Sequence, residues 1–318
     1  MSATRTVERP PNPPVTPPTR QRRGRRLVLG TPLPPWYVQV AKALVLGIFC
    51  ALVIAPFVAI ISTSIAPRDQ ISRAGGLVLW PDAVNLDAYR SILSGGVVTQ
   101  AALISVGVTV VGTALSLFTS CLLAYGLSRP GSFASRPMLL IILFSMLFSA
   151  GIIPTYLLVR GVGLIDTLWA LILPTMISGF NVVVLRSFFM NIPDELLESA
   201  RIDGAGEWRI FSGIVIPLSK AVLAVIGLFY AVSYWNAYFN ALIYLNDSGL
   251  WPLQLVLRTY VINETALSNT DLSVAENLPA QPSLQMAILV VSLVPILIVY
   301  PFLQRHFAKG MMIGAVKG

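Results

Sequence analysis

The sequence predicts an all-α integral membrane protein that crosses the bilayer six times, and three observations carry that expectation. Of its 318 residues, 55% are hydrophobic and only 11% are charged, whereas a soluble domain carries about 25% charged residues. The apolar residues gather into runs near the roughly 20 residues that a helix rising 1.5 Å per residue needs to cross a hydrocarbon layer of about 30 Å. Lysine and arginine concentrate on alternate connections between those runs, which is the asymmetry that orients membrane helices. Mean hydropathy is +0.76.

The elements follow in chain order. Residues 1–35 are rich in Pro, Thr and Arg and cannot bury a core, so they read as a disordered tail. Its cluster Arg20, Arg22, Arg23, Arg25 and Arg26 directly precedes the first apolar run. Much of the net charge of +8 therefore serves topology and contact with anionic membrane lipid, and nucleic acid is excluded as a partner. A cleaved signal is disfavoured because Ala43 to Ala66 holds no charge and outruns a signal's apolar region of about 7–15 residues. A six-helix membrane domain then occupies 36–303, with spans at Ala41–Ala66, Thr99–Leu127, Met138–Val159, Leu168–Val184, Ala221–Leu245 and Leu284–Leu303. Pro56, Pro154, Pro174 and Pro295 are tolerable inside these spans because neighbouring helices re-satisfy the freed carbonyls. Asp166-Thr167 offers the fourth span an N-cap.

An even number of spans puts both termini on one side. The tail, 128–137, 185–220 and the C-terminal tail 304–318 hold, with Lys42 at the edge of the first span, about 17 of the 22 Lys and Arg, so both termini are expected in the cytoplasm of a multi-pass cell-membrane protein. The outer segment 67–98 has the length to form a small cap, and its Gly95-Gly96 reads as a turn before the second span. Cys50 and Cys121 lie in apolar runs and read as buried thiols; with one histidine, no His-based metal cluster can be assembled.

The connection 185–220, LRSFFMNIPDELLESARIDGAGEWRIFSGIVIPLSK, carries the functional signal. It reads as two short helices forming an elbow at 191–217. Pro193 suits a first helical position, and Asp194, Glu195 and Glu198 suit the positive end of the helix dipole. Glu198 and Arg201 stand at i,i+3 spacing for an ion pair. Gly204 can stop the first helix by taking positive φ. A second helix from Gly206 to Pro217 would align Trp208, Phe211 and Val215. An elbow with an apolar face and an exposed carboxylate is a docking surface.

These residues resemble the EAA motif of ABC importer permeases: Glu198-Ser199-Ala200, then Gly204, then Ile214-Val215-Ile216-Pro217 at the family's spacing, with Ser199 in place of the first alanine and Ile216 in place of leucine. The resemblance implies the type I ABC importer permease fold, in which this elbow is the coupling helix inserted into a cleft of the ATPase. It implies ATPase-coupling roles for Glu198, Ser199, Ala200, Asp203, Gly204, Ala205, Ile214 and Pro217. It also implies the partners: a second homologous permease completing a heterodimer, two ATPase subunits and an extracytoplasmic substrate-binding protein. Gly151-Ile-Ile-Pro154-Thr155-Tyr156, Gly163-Leu-Ile-Asp166-Thr167, Tyr234-Trp-Asn-Ala-Tyr-Phe-Asn240, Pro252-Leu-Gln254 and the ending Gln304–Gly318 resemble the carbohydrate-uptake class, closest to its complex-oligosaccharide branch. A sugar or oligosaccharide is the substrate this implies.

No GxxxxGK[ST] phosphate loop and no Ser-His-Asp, Cys-His or HExxH set occurs, so the chain is not expected to be an enzyme or to bind a cofactor. ATP and Mg would belong to the partner ATPase. Leu93-Ser94-Gly95-Gly96 imitates an ATPase signature only as a turn would. A secondary carrier or channel is the competing class, disfavoured because the centres of the spans lack ionisable residues. An ABC permease for another solute also remains. On the fifth span, Tyr230, Ser233, Asn236, Asn240 and Tyr244 fall within an arc of roughly 120° at helical spacing. They are a candidate substrate path, since amides match hydroxyls and aromatic rings cover sugar faces; helix–helix hydrogen bonding is the alternative.

Overall fold

The computed structural model describes residues 27–28, 31–32, 35–132, 134–262 and 281–315. Leu27–Val28 pairs antiparallel with Thr31–Pro32; every other element is helical. The chain forms two units, 1–55 and 56–318. The described part of the first is that short pairing and the beginning of α1 (Trp36–Ile65).

The second unit continues α1 from Pro56 and adds α2 (Arg68–Arg73), α3 (Asp87–Leu93), α4 (Val97–Ser128), α5 (Ser135–Leu147), α6 (Ile152–Gly161), α7 (Trp169–Ile172) and α8 (Gly179–Met190). After these come α9 (Asp194–Ile202), α10 (Glu207–Ile210), α11 (Ile216–Leu218), α12 (Lys220–Trp235), α13 (Tyr238–Tyr244), α14 (Leu253–Ile262) and α15 (Gln281–Ala315). A π turn at Phe211–Val215 joins α10 to α11, and a 3₁₀ turn at Leu173–Thr175 extends α7.

Among the described residues, three helices are long and apolar enough to cross a membrane: α1, α4 and α15 over Gln281–Pro301. Two bent pairs raise the number to five, Trp169–Thr175 with Gly179–Met190 at 52° and Glu207–Leu218 with Lys220–Trp235 at 84°. Three of the expected continuous spans are therefore corrected, the fourth being the pair that bends by 52° between Thr175 and Gly179. The third is two shorter apolar helices, α5 and α6, because Gly151 takes φ 82° between them and Phe148 is extended. The fifth breaks after Trp235: Ala237 (φ −72°, ψ 52°) sits in an inverse γ-turn closed by Tyr238 N donating to Asn236 O at 2.7 Å. The sixth helix runs beyond its expected end at Leu303, through Ala315.

The core is built on α4 and α12. Small α4 residues at i+4 spacing, Gly112, Ser116, Ser120 and Ala124, are buried and let α12 approach closely. The α12 tyrosines answer them: Tyr234 Oη lies 2.7 Å from Ser116 Oγ and Tyr230 Oη 2.7 Å from Ser120 Oγ. Tyr230 Oη also accepts from Ser178 N at 3.0 Å, and Tyr234 Oη donates to Ile172 O at 3.3 Å. The two hydroxyls thereby satisfy backbone groups freed where α7 bends into α8. A buried hydroxyl left unbonded would cost about 1–3 kcal/mol, so these pairs fix the register of α4 and α12.

A second cluster joins Trp235, Leu253, Val256, Leu284 and Ile288 with Ile92 and Val98. The segment 67–98 gives Ala88, Ile92 and Val98 to that cluster and closes a small cluster of its own with Ala66, Ile71 and Val78. Gln70 donates to Trp80 O and accepts from Asp82 N, and Thr63 Oγ1 accepts from Val78 N at 2.9 Å. Gly95 takes φ 100° immediately before α4, as its turn reading requires. Cys121 is buried and Cys50 exposed, and both are free thiols.

Candidate functional site

The elbow begins at Pro193, which caps α9 from outside with extended ψ of 129° rather than occupying its first turn. The helix ends in a Schellman motif: Gly204 N donates to Arg201 O at 3.0 Å and Ala205 N to Ala200 O at 2.9 Å. That closure needs a left-handed residue, and Gly204 supplies it at φ 79°. Asp203 is the C-cap, its own N–H donating to Ser199 O at 3.0 Å. Gly206 then caps α10, and the π turn shifts the register so that Ile210, Phe211 and Val215 are buried. Trp208 does not share that face as expected: it is 63% exposed, with its ring 5.6 Å from that of Phe211.

Leu197, Ile210, Phe211 and Val215 anchor the elbow in the main core beside Leu185 and Phe189. What remains outside is a mixed surface. Glu198, Ser199 and Gly204 are exposed, Ala200, Ala205 and Ile214 half-buried, and Pro217 exposed. Ile202 is 86% exposed at the end of α9, one helical turn from Glu198.

The expected Glu198–Arg201 pair does not form. Arg201 reaches across the bend to Glu207, with Nε at 3.1 Å and Nη2 at 2.9 Å from Oε1. A fork grip on one carboxylate oxygen across a closed turn is better placed than an i,i+3 pair along a helix. Glu207 also accepts from Tyr125 Oη at the end of α4. Tyr125 and then Arg201 hold the Glu207 carboxyl below its usual range against the opposing effect of partial burial. Glu198 makes no ion pair among the described residues. The tie to α4 escaped the sequence reading. Glu207, an acid in a first helical turn, was a visible signal, but its partner stands 82 residues away.

The five candidate path residues are split by the break at Asn236. Tyr230 and Tyr244 are buried: the first joins α4, α12 and the α7–α8 bend, and the second stacks on Tyr156 at 6.4 Å. Ser233 and Asn236 are exposed and Asn240 half-buried; Asn236 Nδ2 donates to Val232 O at 2.9 Å. The single stripe of a continuous helix is thus not present. Asp166 likewise does not cap the fourth span, which starts at Trp169 without a side-chain cap. At φ 59°, it instead accepts from the backbone N–H groups of Asn246 and Asp247 and from Asn246 Nδ2, binding two loops together. These donors, the Asn246 amide first, hold its carboxyl below the usual range.

Residues 112–313 match the family described as "Binding-protein-dependent transport system inner membrane component". The chain belongs to this family. It is a multi-pass membrane permease subunit of an ABC-type transport system, not a catalytic enzyme. Its similarity extends to the Bacillus subtilis polygalacturonan/rhamnogalacturonan transport system permease protein YtcP, 46% identical over 85% of this chain and 94% of that protein. It extends also to protein LplC of the same organism, 44% identical over 88% of this chain and 94% of that one. A solved bacterial ABC transporter involved in the import of the acidic polysaccharide alginate contains a chain that superimposes with a TM-score of 0.81. That chain is 31% identical, and the match covers 87% of this one and all of that one.

Proposed function

We propose that this permease forms half of the translocation path of an oligosaccharide importer and passes the motion of a separate ATPase to that path through the α9–α11 elbow. The observation that carries the coupling role is the unpaired, exposed Glu198 beside exposed Ile202, on a helix fixed from behind by Leu197 and closed by Gly204. An exposed carboxylate beside an exposed aliphatic side chain, on a helix anchored from behind, offers a partner cleft both a charge and an apolar contact. The relatives' names supply the substrate class: the first substrates to test are uronate-containing oligosaccharides.

In this reading both termini and the elbow are cytoplasmic, six segments cross the membrane, and ATP and Mg are held by two partner ATPase subunits. A second, homologous permease completes the path, and an external binding protein delivers the substrate. ATP closure of the ATPase dimer opens the cavity outward and hydrolysis resets it. On this side of the path the break at 236–237 is the segment we assign to substrate. Irregular backbone at membrane depth is tolerated where it is buried in protein or lines a wet cavity, and Ser233, Asn236 and Asn240 are the side chains that the break leaves accessible.

Reconstituted complex should take up oligogalacturonate in the presence of ATP and binding protein, and not malto-oligosaccharide. Glu198→Lys should abolish uptake and substrate-stimulated ATP hydrolysis while the two permeases still copurify. ATP-independent uptake by this chain alone would replace the proposal with a secondary carrier. In a Cys-free background, cysteine at Ser212 should react only with membrane-permeant reagents and cysteine at Ser248 with impermeant ones; impermeant labelling at Ser212 in intact cells would overturn the orientation.

A further inference from the structure

Beside the elbow lies a cavity of about 460 Å³ that the coupling role does not use. It is an open pocket bounded by the end of α4, the start of α5, the end of α8 and the start of α9, and three arginines line it: Arg129, Arg136 and Arg186. Asp194 is the one acid among its lining residues. Among the described residues none of these arginines makes an ion pair. Arg186 gives its Nε to Leu127 O at 2.9 Å, which fixes its guanidinium at the cavity wall. Arg129 is held with its guanidinium carbon 4.4 Å from the centroid of the Tyr125 ring. Its Nε and Nη2 are closed off from solvent and have no acceptor.

Those two nitrogens form the edge of a guanidinium that grips an oxyanion with parallel hydrogen bonds; because they are closed off from solvent, an anion in the cavity meets that edge only once the side chain turns outward from the Tyr125 ring. Leaving that edge dry and unbonded costs more than leaving a neutral donor so. Asp194 on the wall and Glu207, whose charge also acts on Arg129, leave the three cations in excess, and they repel each other unless a further anion joins them. Both debts are met by the same chemistry, a multivalent oxyanion bonded by several arginines at once. We propose that this cavity is a binding site for a phosphate group, gripped by Arg129 with Arg136 and Arg186. Two sources share that chemistry, the headgroup of an anionic phospholipid and free phosphate. If the elbow end is cytoplasmic, as proposed above, the lipid would come from the inner leaflet, where basic pockets between membrane helices recognise headgroups. Since α9 starts at the cavity rim, an occupied site would brace the elbow against α4 and α8.

The test uses the complete importer complex, stripped of lipid in detergent, where membrane sidedness plays no part. Its thermal unfolding midpoint is followed on adding phosphatidylglycerol, phosphatidylcholine or inorganic phosphate, with native mass spectrometry counting retained lipids. The native complex should gain several degrees with phosphatidylglycerol and less with phosphatidylcholine. Arg129→Gln and Arg136→Gln should each lose at least half of that gain and retain fewer lipids. Arg136→Gln, in the first turn of α5, serves as the second variant should Arg129→Gln fail to assemble. An equal gain with millimolar inorganic phosphate, lost in the same variants, supports the site with free anion as its occupant; a gain confined to phosphatidylglycerol supports it with lipid. Equal gains in native and variant complexes, or none with any probe because a partner's carboxylate already fills the cavity, would overturn the proposal. Ser212 labelling decides the leaflet separately.

Discussion

Replacing Gly204 tests whether the elbow works through its backbone shape. Gly204 holds φ 79°, and an added Cβ there would meet no atom of this chain within 4 Å. Any cost to the isolated permease is therefore conformational. A left-handed L-residue costs roughly 1–2 kcal/mol, asparagine less because it tolerates this region, and a β-branched residue more. One or two kcal/mol changes a two-state ratio by about 5- to 30-fold. The fraction of elbows closed by the Gly204–Arg201 and Ala205–Ala200 bonds should fall in the order Gly, Asn, Ala, Val. Substrate-stimulated ATP hydrolysis by reconstituted complex is the assay, normalised to copurified ATPase so that lost assembly is not read as lost coupling. Gly204→Asn should keep most of the stimulation, Gly204→Ala should reduce it several-fold, and Gly204→Val should abolish it. Asn and Val equally damaging would mean that the partner's surface, not the turn, excludes a side chain. Full activity in Gly204→Val would refute the argument outright.

Three further outcomes follow from the packing. Gly112→Ala would bring a Cβ to 2.9 Å from three atoms of the Tyr234 ring, which Ser116 and Ile172 pin in place; overpacking of this kind costs about 1–3 kcal/mol. The complex's unfolding midpoint should fall in that variant, and an unchanged midpoint would show that α4 and α12 separate freely. Glu207→Gln and Tyr125→Phe should each destabilise by about 1–2 kcal/mol, a hydrogen bond to a charged group being worth roughly 1.5–3 kcal/mol and less when exposed. The double variant should lose no more than the worse single one, and additive losses in a double-mutant cycle would deny the shared contact. Asn236→Ala and Asn240→Ala should narrow the range of oligosaccharides taken up at unchanged thermal stability. A fall in stability with an unchanged uptake profile would assign both residues to packing.

The fold class and the elbow were legible for the same physical reason: both are local. Apolar run length announces membrane helices, and Pro193, Gly204 and Pro217 declare start, turn and exit within some twenty-five residues of chain. Gly204 was read correctly because only glycine takes φ 79° freely, and that demand is visible in one letter. The break in the third expected span had a signal too, Gly151 followed by Pro154. The break at 236–237 had none. Trp-Asn-Ala-Tyr contains neither glycine nor proline, and the Trp235 ring at the break donates to Ser292 O, 57 residues away. Pairings that cross the fold, Arg201 with Glu207 and Tyr125, Ser116 with Tyr234, and Asp166 with Asn246, were illegible because spacing along a chain cannot rank partners it does not place together.

The strengths of these ties bear on which of them can change during transport. Tyr230 and Tyr234 are sealed between α4, α12 and the α7–α8 bend, with exposures of 3% each. Breaking them would strand hydroxyls and backbone groups away from water, at several kcal/mol in sum. Those helices must therefore move as one body. The Arg201–Glu207 pair is about half exposed, and such pairs are worth about 0.2–1 kcal/mol because water replaces either partner at once. A contact of that size can open and close within one cycle. The elbow is thus fixed to the core by buried Leu197, Ile210 and Val215, and trimmed against α4 by an exchangeable polar contact. On the proposed coupling role, force applied at Glu198 would reach α4 as a rigid push through the apolar anchors, while Arg201, Glu207 and Tyr125 would set the angle at which the elbow meets its partner.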